Sequence, residues 1–143
     1  MNASELIVSL GNRLGIGELA LSPEGTCSVI FDQDEVAFEV NSDRLFLIAD
    51  IGPATGREDM YNALLRANHL GNGSAFGNLG LDWERDVFCL SKVIEADETE
   101  ELFENQLALF VKTLRYWKEY LQNGPEAAEQ EQASAIQDPA RMA

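Results

Sequence analysis

The fold is decided by residues 62–90, which read NALLRANHLGNGSAFGNLGLDWERDVFCL. The first part predicts the second half of an amphipathic helix, because apolar side chains recur there at helical spacing. They are Met60, Leu64, Ala67 and Leu70. Residues 71–73 predict the end of that helix, because glycine and asparagine tolerate the left-handed backbone of a helix exit. Two strand-like runs follow, at 75–83 and 87–93, so the stretch predicts a helix packed against a β-hairpin.

Upstream of this stretch, the sequence predicts a first helix and an antiparallel meander. Asn2 and Glu5 have the spacing of a capping box, which predicts a helix start. The apolar stripe of that helix is Leu6, Ile7, Leu10 and Leu14. Alternating apolar residues then predict three or four strands, and the short turns between them favour antiparallel pairing. The strand runs are 18–22, 26–32, 35–40 and 44–51.

Downstream of the hairpin, the sequence predicts one long helix. Asp97 and Glu100 have capping-box spacing, and Gly124 followed by Pro125 predicts the helix end. Its apolar stripe is Leu102, Phe103, Leu107, Phe110, Leu114, Trp117 and Leu121. The order of elements therefore predicts an α+β fold: helix, antiparallel β-meander, helix, β-hairpin and C-terminal helix.

The domain boundary is expected near the end of that helix. Residues 1–123 are long enough for one domain with a hydrophobic core. Residues 124–143 are rich in Ala, Glu and Gln and contain few large apolar side chains. Such a segment buries too little apolar surface to offset the entropy of ordering, so we expect a disordered acidic tail.

Charge excludes several classes of partner. The chain has 143 residues and a formal net charge of -15, with 10 Lys and Arg in all. Nucleic-acid binding requires clustered cations, and the sequence has no such cluster. It also lacks an apolar run of membrane-spanning length and a basic leader at the N-terminus, so we expect a cytoplasmic protein without membrane insertion. Cys27 and Cys89 are expected to be reduced thiols.

Residues capable of catalysis or metal binding are sparse. His69 is the sole histidine, and the two cysteines lack the spacing of a metal site, so no cofactor or metal is expected. A Cys89–His69 nucleophile pair would make a small cysteine-dependent enzyme, but Cys89 lies between Phe88 and Leu90 in a strand, where a small core residue is expected. The chain is therefore predicted not to be an enzyme. Trp83 in the hairpin turn has two equally favoured interpretations. Its side chain lies either on a contact surface or folded back over the core.

The middle of the chain resembles a known family. Residues 65–70, LRANHL, a glycine-rich link, residues 79–82, LGLD, and then Leu90 occur in an order and spacing similar to those of class I type III secretion chaperones, the Tir-chaperone or CesT-like proteins. The order of elements over residues 1–123 and the acidic balance agree with that family. The tail lies outside the resemblance.

The resemblance implies a function and a set of partners. It implies a cytoplasmic, virulence-associated chaperone that binds the N-terminal segment of an effector as a homodimer and keeps it soluble and competent for secretion. The secretion-system ATPase is a further expected partner. A sensory or regulatory protein of the same fold, of the YbjN-like kind, remains an alternative.

Two surfaces follow from the resemblance. Dimerisation is expected through the second helix and the strand after it, at Met60, Leu64, Leu65, Asn68, Ala75, Gly77, Leu79, Leu81 and Trp83. Effector binding is expected on the first helix and the sheet, at Leu6, Ile7, Leu10, Leu14, Val29, Phe31, Phe38 and Val40. An extended client adding to a sheet edge would gain main-chain hydrogen bonds, and apolar patches would select its side chains.

Overall fold

The computed structural model describes residues 2–95 and 97–137. Helix α1 spans Ala3–Leu14, and strands β1, β2 and β3 span Thr26–Phe31, Asp34–Asn41 and Arg44–Pro53. Helix α2 spans Tyr61–Asn68, and strands β4 and β5 span Asn78–Asp82 and Val87–Glu95. Helices α3 and α4 span Glu100–Asn123 and Pro125–Gln137. The α+β prediction is confirmed, because a helix, a meander, a helix, a hairpin and a long helix follow one another as expected.

Capping side chains determine where the main helices begin. The Asn2 side chain accepts a hydrogen bond from the Glu5 N–H at 2.9 Å, and the Glu5 carboxylate accepts one from the Asn2 N–H at 3.2 Å, so α1 begins with the expected capping box. Helix α3 begins differently from the prediction. Thr99, rather than Asp97, is its N-cap, and the Thr99 hydroxyl accepts a hydrogen bond from the Leu102 N–H at 3.2 Å.

Five antiparallel strands form one sheet in the order β1-β2-β3-β5-β4. Strands β1 and β4 are therefore its two edges. The predicted strand at 18–22 lies outside this sheet. The Ser22 N–H donates to the Thr26 carbonyl at 2.8 Å and closes a turn there, so the first strand begins at Thr26.

Helices cover one face of the sheet and leave the other face exposed. Helix α3 contacts β2, β3 and β5, and α1 packs against α3, whereas α2 contacts β4. Inward side chains such as Phe38 and Leu47 are fully buried, and outward ones such as Glu35 and Glu39 are exposed. Leu102 was expected in the buried stripe of α3 but is 51% exposed, because it is the neighbour of the buried Phe103 and successive helical residues point about 100° apart.

Residues 125–137, which were predicted to belong to a disordered tail, form helix α4. Gly124, at a φ of 94°, reverses the chain, and Ala128 is fully buried where α4 packs against α3. The Tyr116 hydroxyl donates to the Glu129 carboxylate at 3.0 Å, and burial raises the pKa of Tyr116 to about 12. The burial of Ala128 and this hydrogen bond hold α4 against α3, a contact that composition does not reveal. Residues 138–143 of the predicted tail lie outside the described residues.

Candidate interaction surfaces

Large apolar side chains are exposed around α2 and β4. Leu65, Leu70, Phe76 and Trp83 are 71%, 76%, 73% and 79% exposed. Tyr61 and Leu81 add further exposed apolar area. All six lie on α2, on β4 or in the segment that directly follows either element, and we call them the α2–β4 surface. A concentration of exposed apolar side chains of this kind marks an interaction site in soluble proteins.

The segment that carries most of this surface is free of acidic residues. Residues 60–81 are 22 consecutive residues without Asp or Glu, although the chain contains 25 acidic residues among 143. Arg66 is the one Lys or Arg in this segment. In a chain of net charge -15, this is where a second negatively charged surface can approach with least repulsion.

The connection between α2 and β4 has a left-handed backbone at three residues other than glycine. We call it the 69–77 loop, and in it Leu70, Ala75 and Phe76 have φ angles of 57°, 55° and 59°. Positive φ is uncommon outside glycine and costs conformational energy in bulky residues. Because of this bend, β4 begins at Asn78 rather than at residue 75, which corrects the predicted strand.

Side chains from the core hold the 69–77 loop in place. The Lys92 Nζ donates to the Ala75 carbonyl at 2.5 Å, and it lies 5.8 Å from the centre of the Phe76 ring. Lys92 is only 8% exposed, and this burial lowers the pKa of its ammonium group. The Trp117 Nε1–H donates to the Gly73 carbonyl at 2.7 Å. The loop is therefore anchored from both β5 and α3.

The start of β4 is fixed in the same way. The Asn68 side chain donates to the Leu79 carbonyl at 2.7 Å and accepts from the Leu79 N–H at 2.8 Å. Gly77 approaches β5 so closely that a Cβ there would lie 2.2 Å from the Ser91 carbonyl oxygen. Only glycine fits that contact, which explains why Phe76-Gly77 precedes the strand.

The residues predicted for the dimer interface differ in their exposure to solvent. Leu65, Leu81 and Trp83 are exposed, so Trp83 is not folded over the core. Asn68 and Gly77 are partly buried, and their contacts shape the chain within one protomer. Met60, Leu64, Ala75 and Leu79 are buried. Met60, Leu64 and Leu79 belong to the hydrophobic core of the protomer, and Ala75 is buried within the 69–77 loop.

Sequence reasoning missed Leu70 and Phe76 as surface residues. Leu70 was assigned to the apolar stripe of the helix, and Phe76 to a strand. The signal for both was local: each large apolar residue is followed directly by a glycine, in Leu70-Gly71 and Phe76-Gly77. Glycine is a turn residue and loops lie at the surface, but the same pairing occurs at the buried Leu10-Gly11 and Ile51-Gly52, so the signal alone could not decide exposure.

Most residues predicted for effector binding are buried. Leu6, Ile7, Leu10, Val29, Phe31 and Phe38 are at most 8% exposed. They fill the interior between α1, α3 and the sheet, so in this structure they cannot contact a client. Leu14 is 40% exposed, and Val40 is partly buried.

Other apolar side chains on α1, directly after it and on β1 are exposed instead. Val8, Ile16 and Ile30 are 46%, 41% and 66% exposed. Strand β1 pairs only with β2, and within residues 2–95 and 97–137 the outer backbone groups of 27–30 have no hydrogen-bond partner. An edge of this kind can accept another strand.

The described residues do not form a catalytic or metal site. The Cys89 thiol lies 3.5 Å from the Asp50 carboxylate rather than beside His69. Burial and the nearby Asp50 charge raise the pKa of Cys89 to about 11, which keeps it a weakly nucleophilic thiol at neutral pH. No group of His, Cys, Asp and Glu in this part of the chain could hold a metal ion, and none of its helices is long and apolar enough to cross a bilayer.

Known proteins share this arrangement. The model of the Tir chaperone protein (CesT) family matches residues 5–118. No curated protein has a sequence that matches significantly. Among solved structures, the ExsC-ExsE complex contains a similar chain, with 26% identity, a TM-score of 0.70 and coverage of 82% of this chain and 95% of that one.

Two further structures share the fold. In the HopA1-SchA chaperone-effector complex, a chain with 22% identity superposes with a TM-score of 0.67 over 80% of this chain and 91% of that one. In the complex of the Yersinia pestis type III secretion chaperone SycH with a fragment of YscM2, the values are 23% identity and a TM-score of 0.63, over 78% of this chain and 96% of that one.

Proposed function

Since this chain belongs to the Tir chaperone protein (CesT) family of type III secretion chaperones, we propose that it binds the N-terminal segment of a secreted effector as a homodimer. Membership of that family makes it a chaperone and not an enzyme. The observation that carries the proposal is the family match over residues 5–118, which reach from α1 into α3. The similar chains in the ExsC-ExsE complex and in the HopA1-SchA chaperone-effector complex support an effector partner.

The client is proposed to add as an extended strand to the open edge of β1. A strand added there would turn alternate side chains to the two faces of the sheet. On the outer face the client would contact Ile30, and the exposed positions of α1, Val8 and Leu14, offer apolar contacts on the helical side. This assignment uses exposed residues in place of the buried ones expected from the sequence.

The second copy is proposed to bind at the α2–β4 surface. Strand β4 is the other edge of the sheet, and the surface beside it combines exposed apolar side chains with an acid-free segment. A stable dimer of chains this size buries roughly 800 Å² on each partner, mostly apolar near its centre. The two proposed partners therefore use opposite edges and do not compete.

The strongly negative net charge of the chain supports a cytoplasmic carrier. A net charge of -15 keeps free and loaded chaperone soluble by mutual repulsion. The same charge favours a client whose segment is neutral or basic. Delivery of the loaded complex to the secretion-system ATPase completes the proposal.

The test is capture of the client from a secreting cell, followed by mapping of the protected segment. The tagged chaperone is purified, the co-purified protein is identified, and limited proteolysis is expected to leave its N-terminal segment bound. Ile30→Asp should then weaken binding of that purified segment, whereas Leu102→Asp, an exposed leucine on α3, serves as the matched control. If no secreted protein is retained and no segment is protected, the chaperone proposal fails and the regulatory alternative gains support.

A further inference from the structure

The open edge of β1 consists of the outward backbone groups of two residues. The turn at Ser22 already bonds the N–H and the carbonyl of Thr26, which point away from β2. Outward groups recur at every second residue of an antiparallel strand, so those of Ser28 and Ile30 come next. Within residues 2–95 and 97–137 they have no hydrogen-bond partner. A strand added here pairs with Ser28 and Ile30, and its two opposing side chains lie on the outer face of the sheet.

Small side chains leave a channel on the outer face beside Ser28. Ser28 lies directly opposite Ala37 on β2, and Ala37 lies directly opposite Ile48 on β3. We call this row of three residues the outer channel. Ser28 is exposed, Ala37 and Ile48 are half-buried, and the latter two also line a depression of about 560 Å³ on this face. A long side chain can therefore lie along the outer channel without a clash.

Two carboxylates flank the outer channel. Glu35 and Glu39 lie two residues before and two residues after Ala37, so their side chains leave the same face of β2 on either side of it. Both residues are exposed. In the part of the chain that the structure describes, neither carboxylate takes part in a hydrogen bond or an ion pair. The outer channel therefore has a negative charge on each side that is available to a partner.

The cations near the outer channel already have acidic partners. Arg85 and Lys118 line the same depression as Ala37. The Arg85 Nη1 donates to the Asp50 carboxylate at 2.9 Å, and the Lys118 Nζ donates to the Asp34 carboxylate at 2.8 Å. These two cations therefore do not neutralise the carboxylates that flank the channel.

We propose that the β1 edge selects a client strand with a lysine or arginine opposite Ser28 and an apolar residue opposite Ile30. This inference rests on the proposed binding of a client at β1. The aliphatic stem of the basic residue lies along the outer channel, and its charged end reaches Glu35 and Glu39. The client strand and β2 are two strand spacings apart, about 10 Å, a distance that long side chains from both partners can span.

Charge gives this edge its selectivity. Main-chain hydrogen bonds to Ser28 and Ile30 form with any extended segment, so they contribute affinity without selecting a sequence. A client with a carboxylate opposite Ser28 faces two like charges and is rejected. A neutral side chain there leaves both carboxylates unpaired. Glu35 and Glu39 are therefore the residues that determine which clients bind.

The test begins with a random dodecapeptide library, displayed on phage and selected on the full chain. Enriched peptides are expected to carry Lys or Arg two positions from Ile, Val or Leu, because the residues opposite Ser28 and Ile30 have this spacing. Hydrogen exchange of the unmutated chain then locates the peptides. A peptide at β1 should protect the amides of Ser28 and Ile30, which point to solvent in the free protein.

Single charge variants then test the flanking carboxylates with one enriched peptide. Glu35→Gln and Glu39→Gln preserve side-chain size, and each should raise the peptide Kd about two- to fivefold, the scale of an exposed ion pair. Glu95→Gln is the matched control, because it removes one charge from the outer face of β5 and should leave the Kd unchanged. Glu39→Gln should also reduce the salt dependence of binding, which a purely structural role would not change.

A charge swap makes the assignment reciprocal. Glu39→Lys should bind a peptide whose basic residue is replaced by glutamate more tightly than the unmutated chain does. If no peptide is enriched, or bound peptides leave the Ser28 and Ile30 amides unprotected, the client site at β1 and this inference fail together. If peptides protect these amides but lack the basic residue, or keep their Kd in Glu35→Gln and Glu39→Gln, the charge selection alone fails and β1 remains the client edge.

Discussion

The two edges of the sheet differ in charge and in the side chains beside them. Strand β1 lies among acidic residues, with Glu24 before it, Asp32 after it and Glu35 opposite Ile30 on β2. Strand β4 follows an acid-free segment and lies beside the exposed Leu65 and Phe76. The β1 edge can accept another strand, whereas the Asn68 side chain already bonds the outer backbone groups of Leu79 on the β4 edge, so the two edges suit different modes of contact. Under the proposed function, this difference would let one small sheet bind a client and a second copy at once.

The two edges are also anchored differently. The turn after β1 is tied to α3 through Asp34, whose carboxylate accepts from Arg115 at 2.7 Å and from Lys118 at 2.8 Å. Asp34 is only 7% exposed. The β4 edge is instead tied by neutral hydrogen bonds from Asn68 and by Lys92. An ion-paired carboxylate therefore anchors the β1 edge, whereas hydrogen bonds to backbone groups anchor the β4 edge.

The largest expected effect is the loss of the ionic anchor at β1. Asp34→Ala leaves Arg115 and Lys118 without the carboxylate that they share in a nearly dry site, so we expect the free energy of unfolding to fall by about 3–5 kcal/mol. Asp32→Ala is the matched control, because Asp32 also pairs with Arg115 but its side chain is 70% exposed. That change should cost about 1 kcal/mol or less. Urea unfolding measures both, and equal losses would show that burial of Asp34 adds nothing.

A smaller effect distinguishes the two faces of α1. Leu10→Ala, at a buried position, should lower the free energy of unfolding by about 2–5 kcal/mol. Leu14→Ala, at an exposed position, should change it by only about 0.5 kcal/mol. Under the proposed function, Leu14→Ala should nevertheless weaken client binding, measured by calorimetry with the purified N-terminal segment. Unchanged client affinity in Leu14→Ala would remove α1 from the client surface.

Periodic patterns predicted the elements well but not which apolar residues face outward. The stripe of α1 and the alternation in β2 and β3 determine the fold, because burying one face of each element requires no distant information. The same patterns could not show that the core has room for Leu6, Ile7 and Leu10. A surface role for those residues came from the resemblance, and their burial is a property of how α1, α3 and the sheet fit together.

The remaining differences have local physical causes. Helix α4 is held by the buried Ala128 and by the hydrogen bond between Tyr116 and Glu129, neither of which a compositional criterion can detect. The left-handed 69–77 loop depends on Lys92, which lies 15 or more residues later in the sequence. Hydrogen bonds between such distant positions depend on tertiary structure, which sequence patterns do not show. The predicted α2 and β4 therefore extended too far into the 69–77 loop.

The smallest effects concern the two thiols, one at each side of the sheet. Cys27 lies on β1, and Cys89 lies on β5 directly opposite Gly80 of β4. Burial raises the pKa of Cys27, and burial together with Asp50 raises the pKa of Cys89 to about 11. The thiolate is the reactive form, so a raised pKa lowers the alkylation rate at pH 8. We therefore expect both cysteines to react slowly there, and the rate at Cys89 to keep rising until about pH 11.

The Asp50→Asn variant should change the reactivity of Cys89 alone. Removal of the carboxylate charge should lower the pKa of Cys89 and raise its alkylation rate at pH 8, while the rate at Cys27 stays the same. A client strand on β1 should slow alkylation of Cys27 and leave Cys89 unaffected, because only β1 would be covered. Mass spectrometry of alkylated peptides, with and without the client segment, gives both rates in one experiment. Protection of Cys89 with Cys27 still reactive would place the client at the β4 side and reverse the assignment of the two edges.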